Sequence, residues 1–206
     1  MAPSDRPFLM GSVLRKAERL SRIAVWAGGI MMLASVILIC ADVIGRKYLH
    51  LSTIGSNELS GYAFAISTSW ALAFGMLERI NVRVDVLYRL FPPRVSGFLD
   101  WLSLVSMGIF IAYLTYYGIG VAQVSWEREA TASTTLGTPL WIPQTLWALG
   151  FVWMCIVLVL MLVRASVALV TGDLETVKAI CGQRSSEEEA EEEAAAGGRM
   201  VRGEEA

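Results

Sequence analysis

Residues that carry catalytic or redox chemistry are scarce in this sequence. Histidine occurs once, at His50. Haem-bearing four-helix membrane proteins are held by paired axial ligands, so a single histidine argues against that class. The three cysteines, Cys40, Cys155 and Cys181, form no CxxC motif. Cys40 and Cys155 lie inside apolar runs, where cysteine acts as a small hydrophobe, so neither a disulfide nor a redox role is expected. The sequence shows no clustered metal ligands, no Ser-His-Asp arrangement and no phosphate-binding loop. A hydrolytic, metal-dependent or nucleotide-dependent activity is therefore not expected. No cofactor, metal or nucleic-acid partner is expected either.

Charge is also sparse. Charged residues make up 17% of the 206 residues against 55% hydrophobic, with a mean hydropathy of +0.53. A soluble domain of this length cannot hide so much apolar surface, so the chain reads as an integral membrane protein. The net charge of −2 averages a basic front half against an acidic tail around Glu187–Glu193. The first 22 residues are charged and amphipathic, and the apolar run behind them is too long for the core of a cleavable signal.

In chain order, residues 1–22 carry Arg6, Arg15, Lys16, Arg19 and Arg22, with Leu9, Val13, Leu14, Ala17 and Leu20 approximating one helical face. This predicts a short amphipathic surface helix. A first span follows from Ile23 to Tyr48, then a polar turn over 49–56. The second span, Glu58 to Glu78, is uncharged from Leu59 to Leu77. At 1.5 Å per residue that stretch is about 29 Å long, the thickness of a hydrocarbon core. From Ile80 to Phe91 runs an arm. Ile80, Val84, Leu87 and Phe91 recur at helical spacing, which suits a helix lying in the membrane surface. Ile80, Val82, Val84 and Val86 also alternate with period two, which suits a short strand equally. Pro92-Pro93 stop the arm. A third span runs from Val95 to Trp126, a polar loop occupies 127–138, and a fourth span begins near Pro139–Pro143 and continues to Val170. The tryptophans fall mostly at belt positions, with Trp70 and Trp153 deeper. The expected fold is all-α integral membrane. It has four transmembrane helices, an interfacial arm between the second and third, and a short N-terminal helix. The parts are 1–22, a membrane domain over 23–171, and a largely disordered tail over 172–206.

Basic residues orient this arrangement. The N-terminal cations, then Arg79, Arg83, Arg89 and Arg94, then Arg164, Lys178 and Arg184 fall on one side. Arg46 and Lys47, then Arg128, fall on the other. The positive-inside rule puts both termini and the arm in the cytoplasm.

Acidic groups are the remaining candidates. Asp42 and Arg46 are four apart on one helical face and can pair; a proton relay through Asp42 is the sharper alternative. Glu58 stands at the start of the second span, where the helix dipole favours an anion. Its position suits assembly or a partner contact better than ion transport, because a carboxylate at a span's end escapes most of the cost of a buried charge. Arg46 and Glu58 lie at one membrane face and can approach each other. Gly28-Gly29, Gly108, Gly118 and Gly120 read as helix-packing positions.

Several runs in this order resemble one family. Val43-Ile44-Gly45-Arg46-Lys47-Tyr48 comes first, then Asn57-Glu58-Leu59, then Trp70 with Ala73-Phe74-Gly75. Arg79 follows with Val82-Arg83-Val84-Asp85, and later Thr138-Pro139-Leu140-Trp141-Ile142-Pro143. Together they are similar to the small membrane subunit of tripartite ATP-independent periplasmic (TRAP) transporters, the DctQ-like family, over about residues 20–170. Members often carry histidine in the arm, near where this chain has Asn81. The resemblance implies a soluble periplasmic protein that captures an organic anion and a large membrane permease that binds substrate and sodium and moves like an elevator. It implies a small subunit that braces the static frame of the bacterial inner membrane complex. It makes Asp42, Arg46, Glu58, Trp70, Arg79, Arg83, Asp85 and Pro143 structural or partner-interface candidates. Competing readings are an autonomous exporter with Glu58 as proton carrier and a small four-helix membrane enzyme.

Overall fold

The structure is a computed structural model that describes residues 6–49, 55–78, 93–134 and 136–173, with isolated positions beyond. Four helices account for most of it. They are α1 (Arg6–Ile44), α2 (Ser56–Leu77), α3 (Pro93–Glu127) and α4 (Trp141–Thr171). The described residues hold no strand beyond a single bridge between Thr131 and Pro139. The arm over 80–91, with Arg79, Arg83 and Asp85, lies outside the described residues, as do His50 and most of the tail.

The helices stand side by side in the order α1, α2, α4, α3, so α1 and α3 form the two edges. This is an open row more than a closed bundle. The row follows from where small residues fall. On α1, Leu14, Ser21, Gly28, Ser35 and Asp42 recur every seven residues, and all are buried or half-buried. A seven-residue repeat keeps one seam turned to a neighbour over a long helix. The Ser67 hydroxyl of α2 reaches that seam and donates to the Gly28 carbonyl at 3.1 Å. A Cβ on Gly28 would sit 3.2 Å from the Ser67 Cβ, whereas one on Gly29 would meet nothing within 4 Å. On the other side of α2, Gly150 of α4 lies against the Ser69 backbone. Gly118 of α3 takes the Trp147 ring of α4, while Gly108 and Gly120 face no such neighbour. The core proper gathers toward the end where α4 finishes, around Ala73, Met76, Leu104, Met154, Val157, Leu158 and Met161.

The amphipathic N-terminal segment is not a separate surface helix. It is continuous with α1, which runs unbroken from Arg6. Lysine, arginine and leucine are good helix formers, and the buried seam extends through Leu14, Ala17 and Ser21. Ser21 accepts a hydrogen bond from Trp153 Nε1 at 2.9 Å, and Ala17 packs in the same core as Ile180. The change from charged to apolar sequence at Arg22 marks a change of surroundings without a break in the helix.

Three helical stretches are long and apolar enough to cross a membrane: Leu14–Tyr48, Val95–Glu127 and Trp141–Thr171. The second predicted span, α2, falls short by composition. Asn57, Glu58, Ser60, Ser67, Thr68 and Ser69 dilute its apolar character. Buried between two neighbours, α2 can satisfy such groups inside the protein, and Ser67 and Ser69 do so through the carbonyls of Gly28 and Ile66. At its end α4 closes on Gly172 with φ +75°, a left-handed cap that glycine adopts without strain.

Candidate functional site

Three of the polar residues that the sequence singles out, Asp42, Arg46 and Glu58, lie at one end of the row. There α1 ends, α2 begins and the 128–140 loop folds back. α1 widens into a π turn over Gly45–Leu49 that carries Arg46 and Lys47. Asp42, 2% exposed, pairs with Arg46 one turn along the same helix, as their spacing predicts. It also accepts a hydrogen bond from Ser56 Oγ at 2.8 Å. Ser56 is itself 2% exposed and opens α2, so the carboxylate ties the last turn of α1 to the first turn of α2. The Arg46 side chain is half exposed, so its charge keeps contact with solvent while Asp42 supplies the buried half of the pair.

Glu58 finds different partners. Its carboxylate accepts from the Tyr62 hydroxyl at 2.7 Å, one turn further along α2, and from the Thr134 hydroxyl at the loop tip. Arg46 engages Asp42 and not Glu58, so the two candidates that could have met stand in separate clusters. The loop can reach Glu58 because it is tightly folded. Ala132 N donates to Thr138 O and Leu140 N to Ala130 O, both at 2.9 Å, and Gly137 turns with φ +59°. Leu136 covers Gly55, whose φ is +83°; a Cβ there would lie 3.0 Å from the Leu136 side chain. Glu58 therefore fastens the loop onto α2, as Asp42 fastens α1.

Trp70 and Pro143 serve the α2–α4 seam. Trp70 Nε1 donates to the Leu146 carbonyl of α4 at 3.0 Å. Pro143 is buried in the first turn of α4, where a missing N–H costs nothing because first-turn donors have no helical partner. Trp141, two residues earlier, meets Trp126 edge to face at 4.5 Å and joins the two ends of the loop. Arg79, Arg83 and Asp85 fall outside the described residues. Sequence reasoning missed Ser56, Tyr62 and Thr134. Tyr62 carried a readable signal, its four-residue spacing from Glu58; Thr134 carried none, being 76 residues away.

This arrangement is a set of clasps. Among the described residues no three His, Cys, Asp or Glu side chains converge. The clasps predict unequal effects at one atom. Asp42→Ala strips the buried Ser56 hydroxyl of its acceptor, a loss of about 1–3 kcal/mol. Asp42→Asn keeps an acceptor for Ser56 and should retain most of the stability. Thermal unfolding of the purified variants in detergent measures the difference, and equal midpoints for the two would show that Ser56 does not depend on this carboxylate.

The model of one protein family, described as "Tripartite ATP-independent periplasmic transporters, DctQ component", matches residues 35–167, more than half of the chain. The match begins within α1 and ends in the last turns of α4, and so includes every clasp described above. No curated protein and no solved structure matches the chain.

Proposed function

Because the chain belongs to the DctQ family, the small membrane component of tripartite ATP-independent periplasmic transporters, we propose that it braces the large permease subunit of a sodium-dependent transporter that takes up an organic anion such as a carboxylate. A soluble periplasmic binding protein would deliver that anion. The observation that carries the bracing role is the open row of helices, held together by internal clasps and close packing, whose two edges expose large apolar and aromatic side chains that no other described residue covers. Such a slab suits permanent attachment to another membrane protein. The family is one of transporter components and not of enzymes.

In this reading α2 is the fourth span. It lies between α1 and α4, and its polar groups meet partners from both. At 22 residues it is about 33 Å long, enough for a hydrocarbon core of about 30 Å. Four spans put both termini and the arm on the side richer in lysine and arginine, the cytoplasm of a bacterial inner membrane. The Asp42 and Glu58 clasps then face the periplasm.

Co-expression tests the bracing role. Purified in mild detergent, the tagged chain should elute with the permease at one copy of each, and the permease expressed alone should aggregate. Separate elution of two well-behaved proteins would dismiss the role.

A further inference from the structure

The two edges of the row differ in chemistry. The outer face of α1 shows Ile23, Trp26, Ile30, Leu33, Ile37 and Ile44, and from Ile30 to Ile44 it offers hydrocarbon and one thiol, Cys40. The outer face of α3 instead exposes Tyr113, Tyr116 and Tyr117, with Tyr116 73% exposed. Along α3 these tyrosines fall well inside the uncharged stretch. Trp101 and Trp126 mark the two ends of the uncharged part of α3. At 1.5 Å per residue Tyr113 lies about 18 Å from the first and about 20 Å from the second. Tyrosine ordinarily stands where its ring is in hydrocarbon and its hydroxyl is in water or headgroups. Here three hydroxyls occur within little more than one turn near mid-depth.

Their mutual contacts use only part of their capacity. The Tyr113 hydroxyl donates to that of Tyr117 at 3.2 Å, with ring centroids 4.6 Å apart. Tyr116 meets Tyr117 edge to face at 5.3 Å. The Tyr116 hydroxyl and the Tyr117 proton have no partner among the described residues. Acyl chains have no acceptor to offer them, and an unpaired hydroxyl in hydrocarbon is costly. Beside this face the crevice between α3 and α4 opens into a groove of about 490 Å3, with Ile119, Ala122, Leu149 and Val152 on its apolar walls and Glu127 and Thr145 among its polar lining, wide enough to admit side chains of a neighbouring helix.

We propose that the outer face of α3, centred on Tyr113, Tyr116 and Tyr117, docks onto a membrane-embedded helix of the large permease that presents hydrogen-bond acceptors at mid-depth, while the outer face of α1 lies against lipid. This rests on the bracing role proposed above. The occupant is a protein helix because only protein supplies acceptors at that depth, and two neighbouring hydroxyls suit a Ser, Thr, Asn or Gln side chain or a freed backbone carbonyl.

Site-specific photocrosslinking in the intact complex tests the assignment. A benzophenone side chain replaces Tyr116 in one variant and Ile30 in another. A crosslink to the permease from position 116, and none from position 30, is the expected result. A permease crosslink from 30 and not 116, or a crosslink from 116 only to lipid or to a second copy of this chain, overturns it. In parallel, the triple change Tyr113→Phe, Tyr116→Phe and Tyr117→Phe removes three hydroxyls and keeps the rings. It should lower permease recovery at least about tenfold, the equivalent of about 1.4 kcal/mol, and leave the thermal midpoint of the isolated chain unchanged. Unchanged recovery overturns the hydroxyl argument. Absence of any complex with the unaltered chain would be a failure of the bracing role itself and is seen before either variant is made.

Discussion

Liposomes holding the large permease, supplied with the soluble binding protein and an inward sodium gradient, should take up little substrate until this chain is incorporated beside the permease. Uptake should then rise at least about tenfold. Such a factor needs only about 1.4 kcal/mol of coupling between this chain and the transport-competent form of the permease. The reason lies in what the helices do with their polar groups. Ser67, Ser69 and Thr115 lie inside the row, and each donates to a nearby carbonyl: Gly28, Ile66 and Ile111 respectively. Asp42 and Glu58 are tied to Ser56, Tyr62 and Thr134 at one end of the row. These groups are spent on holding the slab together, and none of the sets converges on a common point where an anion could sit. A chain built this way suits the bracing role proposed above, in which it would lend rigidity to a moving partner. Full sodium-driven uptake without the chain would remove the bracing role. Saturable substrate binding by the purified chain alone would remove it by another route.

The helices were legible because their apolar runs are long. Pattern alone failed where composition changes inside one element. The charges up to Arg22 look like a boundary, but a helix backbone continues through lysine and arginine as readily as through leucine, and Ser21 sits in the same seam as Gly28. The opposite difficulty affects α2. Its uncharged stretch reads as a span, yet its serines lower its hydropathy; Ser67 is satisfied by a carbonyl of α1 and Ser69 by one of α2 itself, which explains how a helix so placed can hold them. That the row is open, with α1 and α3 at its edges, is a fact about helix order that no run of hydrophobicity contains.

The site divides along the same line. Asp42 and Arg46 are four residues apart, so a helix alone brings them together. Glu58 and Tyr62 have the same spacing, and their bond was equally available to reading. Contacts made through the fold were not. Trp70 reaches Leu146, and Glu58 reaches Thr134, each across 76 residues. The sequence places Glu58 and Arg46 at one membrane face, where they could pair. The structure supplies hydroxyls instead, because the loop closed by Gly137 and the Thr131–Pro139 bridge sets Thr134 over the start of α2. Glycine pairs had likewise pointed to helix packing at Gly28-Gly29, and only one of the two is used.

That selectivity among glycines leads to the largest expected effect of a single side-chain change. A Cβ on Gly150 would stand 2.9 Å from the Ser69 backbone carbonyl carbon, a distance that real Cβ atoms do not adopt. The Ser69 hydroxyl and Cβ crowd the same point, but because part of the obstacle is main chain no rotamer change relieves it, and α2 must move away from α4. That movement pulls on the neighbouring Trp70–Leu146 hydrogen bond, 3.0 Å long and on the same seam. Overpacking of this kind costs about 1–3 kcal/mol for one methyl, with more expected for a larger side chain. Gly150→Ala should therefore lower the thermal midpoint in detergent clearly, and Gly150→Leu should leave little folded chain to purify. Gly28→Ala, 3.2 Å from Ser67 Cβ and 3.3 Å from its Cα, should fall between, because these contacts are tight but need the two helices to part by only a few tenths of an ångström. Gly29→Ala meets open space and should be neutral or slightly stabilising, since alanine favours the helix by up to about 1 kcal/mol. Midpoints and recovered yield for the four variants give the ranking. If Gly150→Ala is as stable as Gly29→Ala, α2 and α4 do not approach each other as closely as this seam requires.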